Sequence, residues 1–201
     1  MKTIILTLIF ISTSTFAQTK ALRILTPQGM RDLMGPYPAL GTEASHQDFD
    51  VLLQIQNTRT PDDCADAARE EDVSLEKMFA GPKGPLTKKE MRIANPQVIA
   101  GFAEIGANIY VAKSTFKRPR PYLSMPTLIP CIDRESSSAY PSGHTATAWY
   151  FARKIAKIFP SKKAALLKRA GEVSWNRVIG GVHHPSDIVA GKKLGEELAN
   201  D

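Results

Sequence analysis

The chain has 201 residues, of which 43% are hydrophobic and 23% charged, and 26 basic against 20 acidic residues leave a net charge of +6. Those proportions fit a globular protein, and the length suits one domain with a sizeable core. The basic balance favours anionic ligands, but no stretch interleaves aromatic and basic residues in the manner of a nucleic-acid binder, so nucleic acid is not expected as a partner.

The first residues, MKTIILTLIFISTSTFA, place Lys2 before an apolar run from Ile4 to Ile11. That run is too short to span a bilayer and has the length of a signal-peptide core. Thr15 and Ala17 are small enough for the positions before a cleavage point, so residues 1–17 are expected to be removed after Ala17. The mature protein is then expected in the periplasm or outside the cell, without a stable membrane anchor. Cys64 and Cys131 lie outside any Cys-x-x-Cys pattern. In an exported chain an isolated pair most simply forms one disulfide.

Residues 18–44 are rich in Pro and Gly and read as an irregular segment. A helical domain is expected over 45–201, starting near Ser45 with Phe49, Leu52 and Ile55 on one face. Thr60-Pro61-Asp62-Asp63 and Thr87-Lys88-Lys89-Glu90 are helix-start patterns. After Asn95-Pro96, the positions Val98, Phe102, Ile105, Ile109 and Ala112 repeat at helical spacing. Lys117 to Pro141 is a long proline-bearing loop, of the kind that is often functional. Helices are expected again over about 143–159, 162–179 and 186–199, with Ser161 and Ser186 as caps. Strand-like alternation is nearly absent, so the fold class read from the pattern is all-α, a single helical bundle.

Three clusters sit at the ends of these helices: Lys113 with Arg120, then Pro141-Ser142-Gly143-His144, then Arg177 with His183 and Asp187. Each alone has an ordinary reading, as a dipole complement, a cap or a surface pair. Together they supply the parts for phosphoryl transfer. Lys113, Arg120 and Arg177 can neutralise phosphate oxygens, the arginines two at a time. Ser142 and Gly143 open a helix whose free N–H groups favour an anion. Asp187, four positions after His183, can hold one ring nitrogen and expose the other as a nucleophile, while His144 protonates the leaving oxygen.

The pattern Lys-x6-Arg-Pro, Pro-Ser-Gly-His and Arg-x5-His-x3-Asp resembles the three-part signature of the type-2 phosphatidate phosphatase superfamily. That superfamily includes bacterial class A non-specific acid phosphatases and vanadium haloperoxidases. The wording AYPSGHT and the apparent export look most like the class A enzymes. The resemblance implies an all-α fold and an acid phosphatase hydrolysing phosphomonoesters through a phosphohistidine, with no metal or other cofactor. It implies that His183 is the nucleophile, His144 the general acid and Asp187 the group orienting His183. Lys113, Arg120, Ser142, Gly143 and Arg177 would bind the phosphate. Partners would be small phosphate esters, with a homo-oligomer left open. The sequence departs from the family at Asn176, where serine is usual, and at His184-Pro185; of the two adjacent histidines only His183 meets both spacings. Two alternatives remain at this point: a dedicated lipid- or nucleotide-phosphate hydrolase, and a catalytically silent phosphate-binding module.

Overall fold

A computed structural model describes residues 22–200; the expected leader and its cleavage after Ala17 lie outside them. Among the described residues there are ten α-helices and no strand. The fold is all-α.

Most helices begin at a hydroxyl that accepts an otherwise unpaired backbone N–H. Thr26 caps α1 (Pro27–Met34), Thr42 caps α2 (Glu43–Thr58) and Ser74 caps α4 (Leu75–Phe79). Both helix-start patterns form full capping boxes. Thr60 pairs with Asp63 at α3 (Pro61–Arg69), and Thr87 with Glu90 at α5 (Lys88–Val98). After a break at residues 99–100 the chain continues as α6 (Gly101–Phe116), which ends at Lys117 in the left-handed conformation, φ 51°. A four-residue turn, α7 (Pro121–Ser124), follows. Ser142 caps α8 (Gly143–Ile158), and a 3-10 turn at Pro160–Lys162 leads into α9 (Lys163–Ile179). The last helix is α10 (Pro185–Ala199).

Four details differ from the sequence expectation. The 18–44 segment carries α1, because Thr26-Pro27 is the same cap-plus-proline start as Thr60-Pro61, hidden there among glycines. Ser161 lies within the 3-10 turn instead of capping α9. Ser186 lies inside α10, and His184 takes the cap position, its backbone N–H donating to the Asp187 carboxylate at 2.8 Å. The helix break falls three residues beyond Pro96, which is accommodated inside α5.

The centre of the bundle is α8. Ala146, Ala148, Phe151, Ala152 and Ile155 are all fully buried, so the helix is enclosed on most of its circumference. Helices α9 and α10 flank it, and α6 crosses its N-terminal half. The contact with α10 is backbone against backbone. A Cβ on Gly191 would lie 2.6 Å from the Ser142 carbonyl oxygen, and one on Gly195 would lie 2.3 Å from that of Ala146. Leu166, Leu194 and Leu198 fill the flanks of the main core with Met78 and Phe79. A second cluster of Phe49, Leu52, Leu128 and Val178 ties α2 and α9 to the loop after α7. The expected disulfide is formed: Cys64 of α3 is joined to Cys131 of that same loop. Among the described residues no helix is long and apolar enough to cross a membrane.

Candidate active site

The three motifs converge where the end of α6, the start of α8 and the turn between α9 and α10 meet. Ser142 donates its backbone N–H to the Asp187 carbonyl at 3.0 Å, which fastens the second motif to the third. Its hydroxyl stays local, accepting from the Thr145 hydroxyl at 3.0 Å. Gly143 faces the end of α6: a Cβ there would lie 3.3 Å from Ile109 and 3.7 Å from the Lys113 side chain.

His183 and Arg120 define the centre. Arg120 is buried, and its Nη1 donates to the Val182 carbonyl at 2.7 Å and to His183 Nε2 at 3.0 Å. A guanidinium has no acceptor, so Nε2 must hold a lone pair. The ring proton of His183 therefore sits on Nδ1, 3.3 Å from Asp187 Oδ2. Burial first, and then the Arg120 charge, press the His183 pKa down to about 3. Asp187 lies well below the usual carboxylate range: burial would raise it, but its bonds to His183 and His184 and the Arg118 charge outweigh that.

His144 stands on the first turn of α8. Its Nε2 lies 2.8 Å from the Glu71 carbonyl oxygen, which can only accept, so Nε2 carries a proton. Nδ1 then faces the cage, 3.9 Å from Glu135 Oε1. Desolvation, followed by repulsion from Arg177, lowers the His144 pKa to about 4. Lys113 donates to the Ser138 carbonyl and to the Ser137 hydroxyl. Burial and the neighbouring Arg120 bring its pKa to about 8.

Glu135, on the long loop, was not singled out from the sequence. Its carboxylate lies between two arginines, accepting from Arg120 Nη2 at 2.6 Å and from Arg177 Nη2 at 2.7 Å. Burial would raise its pKa, but Arg120, His183, Arg177 and His144 reverse that and hold it at about 2. Arg177 is buried and keeps Nε and Nη1 without a partner. Native proteins rarely leave such donors unsatisfied. All eight residues selected from the sequence are thus brought together around a pocket of positive charge, partly filled by a carboxylate.

The two adjacent histidines have different surroundings. His184 also points Nδ1 at Asp187 Oδ2, at 3.0 Å, but its ring packs edge-on against Phe49 at 5.3 Å between centroids. It borders a separate cavity of about 530 Å³ behind the cage, between Tyr37 and Phe116. Asn176 also faces away, donating to Glu70, which pairs with the buried Arg169.

Arg118 was another omission. It is buried and donates to Asp187 Oδ1 at 2.7 Å, to Asp48 of α2 at 2.9 Å and to the Ser186 hydroxyl at 2.6 Å. It holds Asp187 from the side opposite the histidines. The cage itself opens into a cleft of about 250 Å³ between α6 and the start of α8.

Residues 97–199 match the family model of the PAP2 superfamily, about half of the 201 residues. The chain belongs to that superfamily. Over 85 residues it is 32% identical to an acid phosphatase of Zymomonas mobilis, covering 40% of this chain and 32% of that protein. A non-specific acid phosphatase of Providencia stuartii is 34% identical over 86 residues, covering 40% and 34%. A lipid A 1-phosphatase of Rhizobium johnstonii is 33% identical over 66 residues, covering 33% and 27%. The match spans about a third of the length of these curated relatives. In fold the chain is similar to a bacterial vanadium-dependent iodoperoxidase, with TM-score 0.65 and 15% identity over 82% of this chain and 50% of that one. It is also similar to a transmembrane PAP2-type phosphatidylglycerolphosphate phosphatase of Bacillus subtilis, with TM-score 0.60 and 20% identity over 87% and 92%.

Proposed function

We propose that this protein is an exported, metal-independent acid phosphatase that cleaves phosphomonoesters through a phosphohistidine. The observation that carries the reading is Arg177, whose buried Nε and Nη1 lack partners and which is joined through Glu135 to Arg120, the residue that meets the lone pair of His183. A tetrahedral anion with its phosphorus facing Nε2 would supply acceptors to both. Arg120 and Lys113 would take further oxygens, and the N-terminus of α8 at Ser142 and Gly143 would add backbone donors.

The chemistry follows from the proton positions. The Nε2 lone pair of His183 attacks phosphorus, and the bond from phosphorus to the alcohol oxygen breaks. The substrate monoanion brings a proton that passes to the bare Nδ1 of His144, and Nδ1 hands it to the departing oxygen, so the alcohol leaves. Asp187 stabilises the charge that develops on His183 by accepting from its Nδ1–H. A water molecule then attacks the phosphohistidine while giving a proton to His144. The nitrogen–phosphorus bond breaks, releasing inorganic phosphate and restoring both histidines.

Export is supported by the apolar leader in residues 1–17 and by the disulfide, which suits an oxidising compartment. A silent phosphate-binding module would need the cations but not a histidine held by a buried carboxylate. The test is release of nitrophenol from nitrophenyl phosphate by the purified chain, with EDTA and orthovanadate in parallel. Turnover that survives EDTA and is blocked by vanadate is expected. Activity lost in EDTA and restored by a divalent ion would overturn the metal-free reading.

A further inference from the structure

We propose that Gly106 is a specificity-determining position, and that the cleft it opens takes the alcohol part of the substrate and selects apolar alcohols of limited length. This rests on the phosphatase reading above.

The cleft adjoins the cage at Lys113, Glu135 and His144. An ester with its phosphorus at His183 and its leaving oxygen at His144 directs its alcohol into this space. The wall away from the cage is apolar, made by Val73, Phe102, Ile105 and Ile109, with Thr147 the polar exception among its lining residues. Sugar hydroxyls or a nucleobase entering there would exchange water for a surface with almost nothing to bond, which is costly. An alkyl or aryl group would gain from the same transfer. Four of the α6 positions, 102, 105, 106 and 109, form one helical stripe towards this wall, and Gly106 leaves a gap in it. A Cβ built there meets nothing within 4 Å, so no packing requirement explains the glycine. Glycine inside a helix is itself unfavourable. Beyond Val73 and Phe102 the lining changes: the adjoining depression is bordered by Glu76 and Asn95 as well as Met91. The apolar stretch ends there, which sets the limit on length.

The experiment is a series of n-alkyl phosphates, ethyl to octyl, compared with glucose phosphate and adenosine monophosphate. Each added methylene should raise kcat/KM about fourfold until the apolar stretch is filled, after which the series levels off. The sugar and nucleotide esters should stay near the ethyl value. In Gly106→Phe the hexyl-to-ethyl ratio should fall to about one, with Gly106→Ala intermediate. Should Gly106→Phe not fold, as judged by circular dichroism, the partly exposed rim variant Val73→Asp gives the same reading and should lower the ratio. Orthovanadate inhibition is measured in every variant. A flat series in the unmodified protein, or a steep one in Gly106→Phe, with vanadate still inhibiting, overturns the cleft assignment and leaves the phosphatase reading standing. Absence of both turnover and vanadate binding in the unmodified protein overturns the phosphatase reading itself.

Discussion

Glu135 holds the Nη2 of Arg177 at 2.7 Å while the other two nitrogens of that guanidinium remain unpaired. An internal carboxylate thus occupies part of the space proposed for phosphate. Any anion entering must displace it and lose two charge-assisted bonds, each contributing about 1.5–3 kcal/mol. Because every ligand faces the same displacement, the cost is a common factor and does not discriminate. Glu135→Gln should therefore tighten inorganic phosphate and orthovanadate by the same factor, about ten- to a hundredfold, in inhibition assays. Unequal factors would mean that Glu135 stays in contact with the bound anion.

The two histidines should separate by leaving group. His183→Ala should abolish turnover of every substrate and trap no phosphoenzyme on acid quench. His144→Ala should lose about 10² to 10⁴ on alkyl phosphates, where the departing oxygen needs a proton, and much less on nitrophenyl phosphate. Equal losses on the two classes would remove His144 from the acid role. Phosphoenzyme in His183→Ala would move the nucleophile elsewhere.

The pH dependence follows from the lowered pKa of His144. At about 4 in the free cage, that histidine is neutral over most of the working range. The proton for the leaving oxygen must then arrive on the phosphate, whose second pKa is about 6. Values of kcat/KM should fall about tenfold per pH unit above that point. A dianion bound beside His144 raises its pKa, so kcat should persist to higher pH than kcat/KM. A kcat/KM that still rises at pH 8 would contradict this.

Stability has its own pH sign. His183 and His144 stay neutral in the fold down to about 3 and 4, whereas in an unfolded chain they protonate near 6.5. Between those values the unfolded state binds more protons, so stability rises with pH. Thermal unfolding should show the melting temperature dropping as pH falls from 6.5 towards 4. Replacing His183 by Gln should flatten that dependence.

The Cys64–Cys131 bond joins residues 67 apart in sequence. On the chain-entropy account its loss costs roughly 4 kcal/mol, or about 8–16 °C in melting temperature for a chain of this size. Cys131→Ser, measured by calorimetry against the oxidised protein, should show a drop of that order. No change would mean that the noncovalent contacts, Phe49 and Leu52 against Leu128 and the bonds of Gln56 and Arg59 to the loop backbone, hold the loop by themselves.

The parts legible in sequence were those with local spacing. Both capping boxes lie within four residues, and His183 stands only four positions before Asp187 at the start of α10. The all-α fold could be read from the stripe of α6 in the same way. What escaped depends on distant partners. Arg118 looks like an ordinary cation at a helix end until Asp48, 70 positions earlier, is brought against it. Glu135 sits in a loop without periodicity, and its position follows from where that loop is fastened. The cap on α10 differs from the expected one because His184, a rare capping residue, competes with the more usual Ser186 two residues further on.

Gly191 and Gly195 leave no slack where α10 lies on α8. A side chain at either would push α10 outward and carry His183 and Asp187 away from Ser142 and Gly143. Laboratory evolution towards new substrates is thereby channelled. Libraries randomised on α6 and on the loop around Glu135 should return altered enzymes, whereas those randomised along the α8–α10 seam should return mostly dead clones.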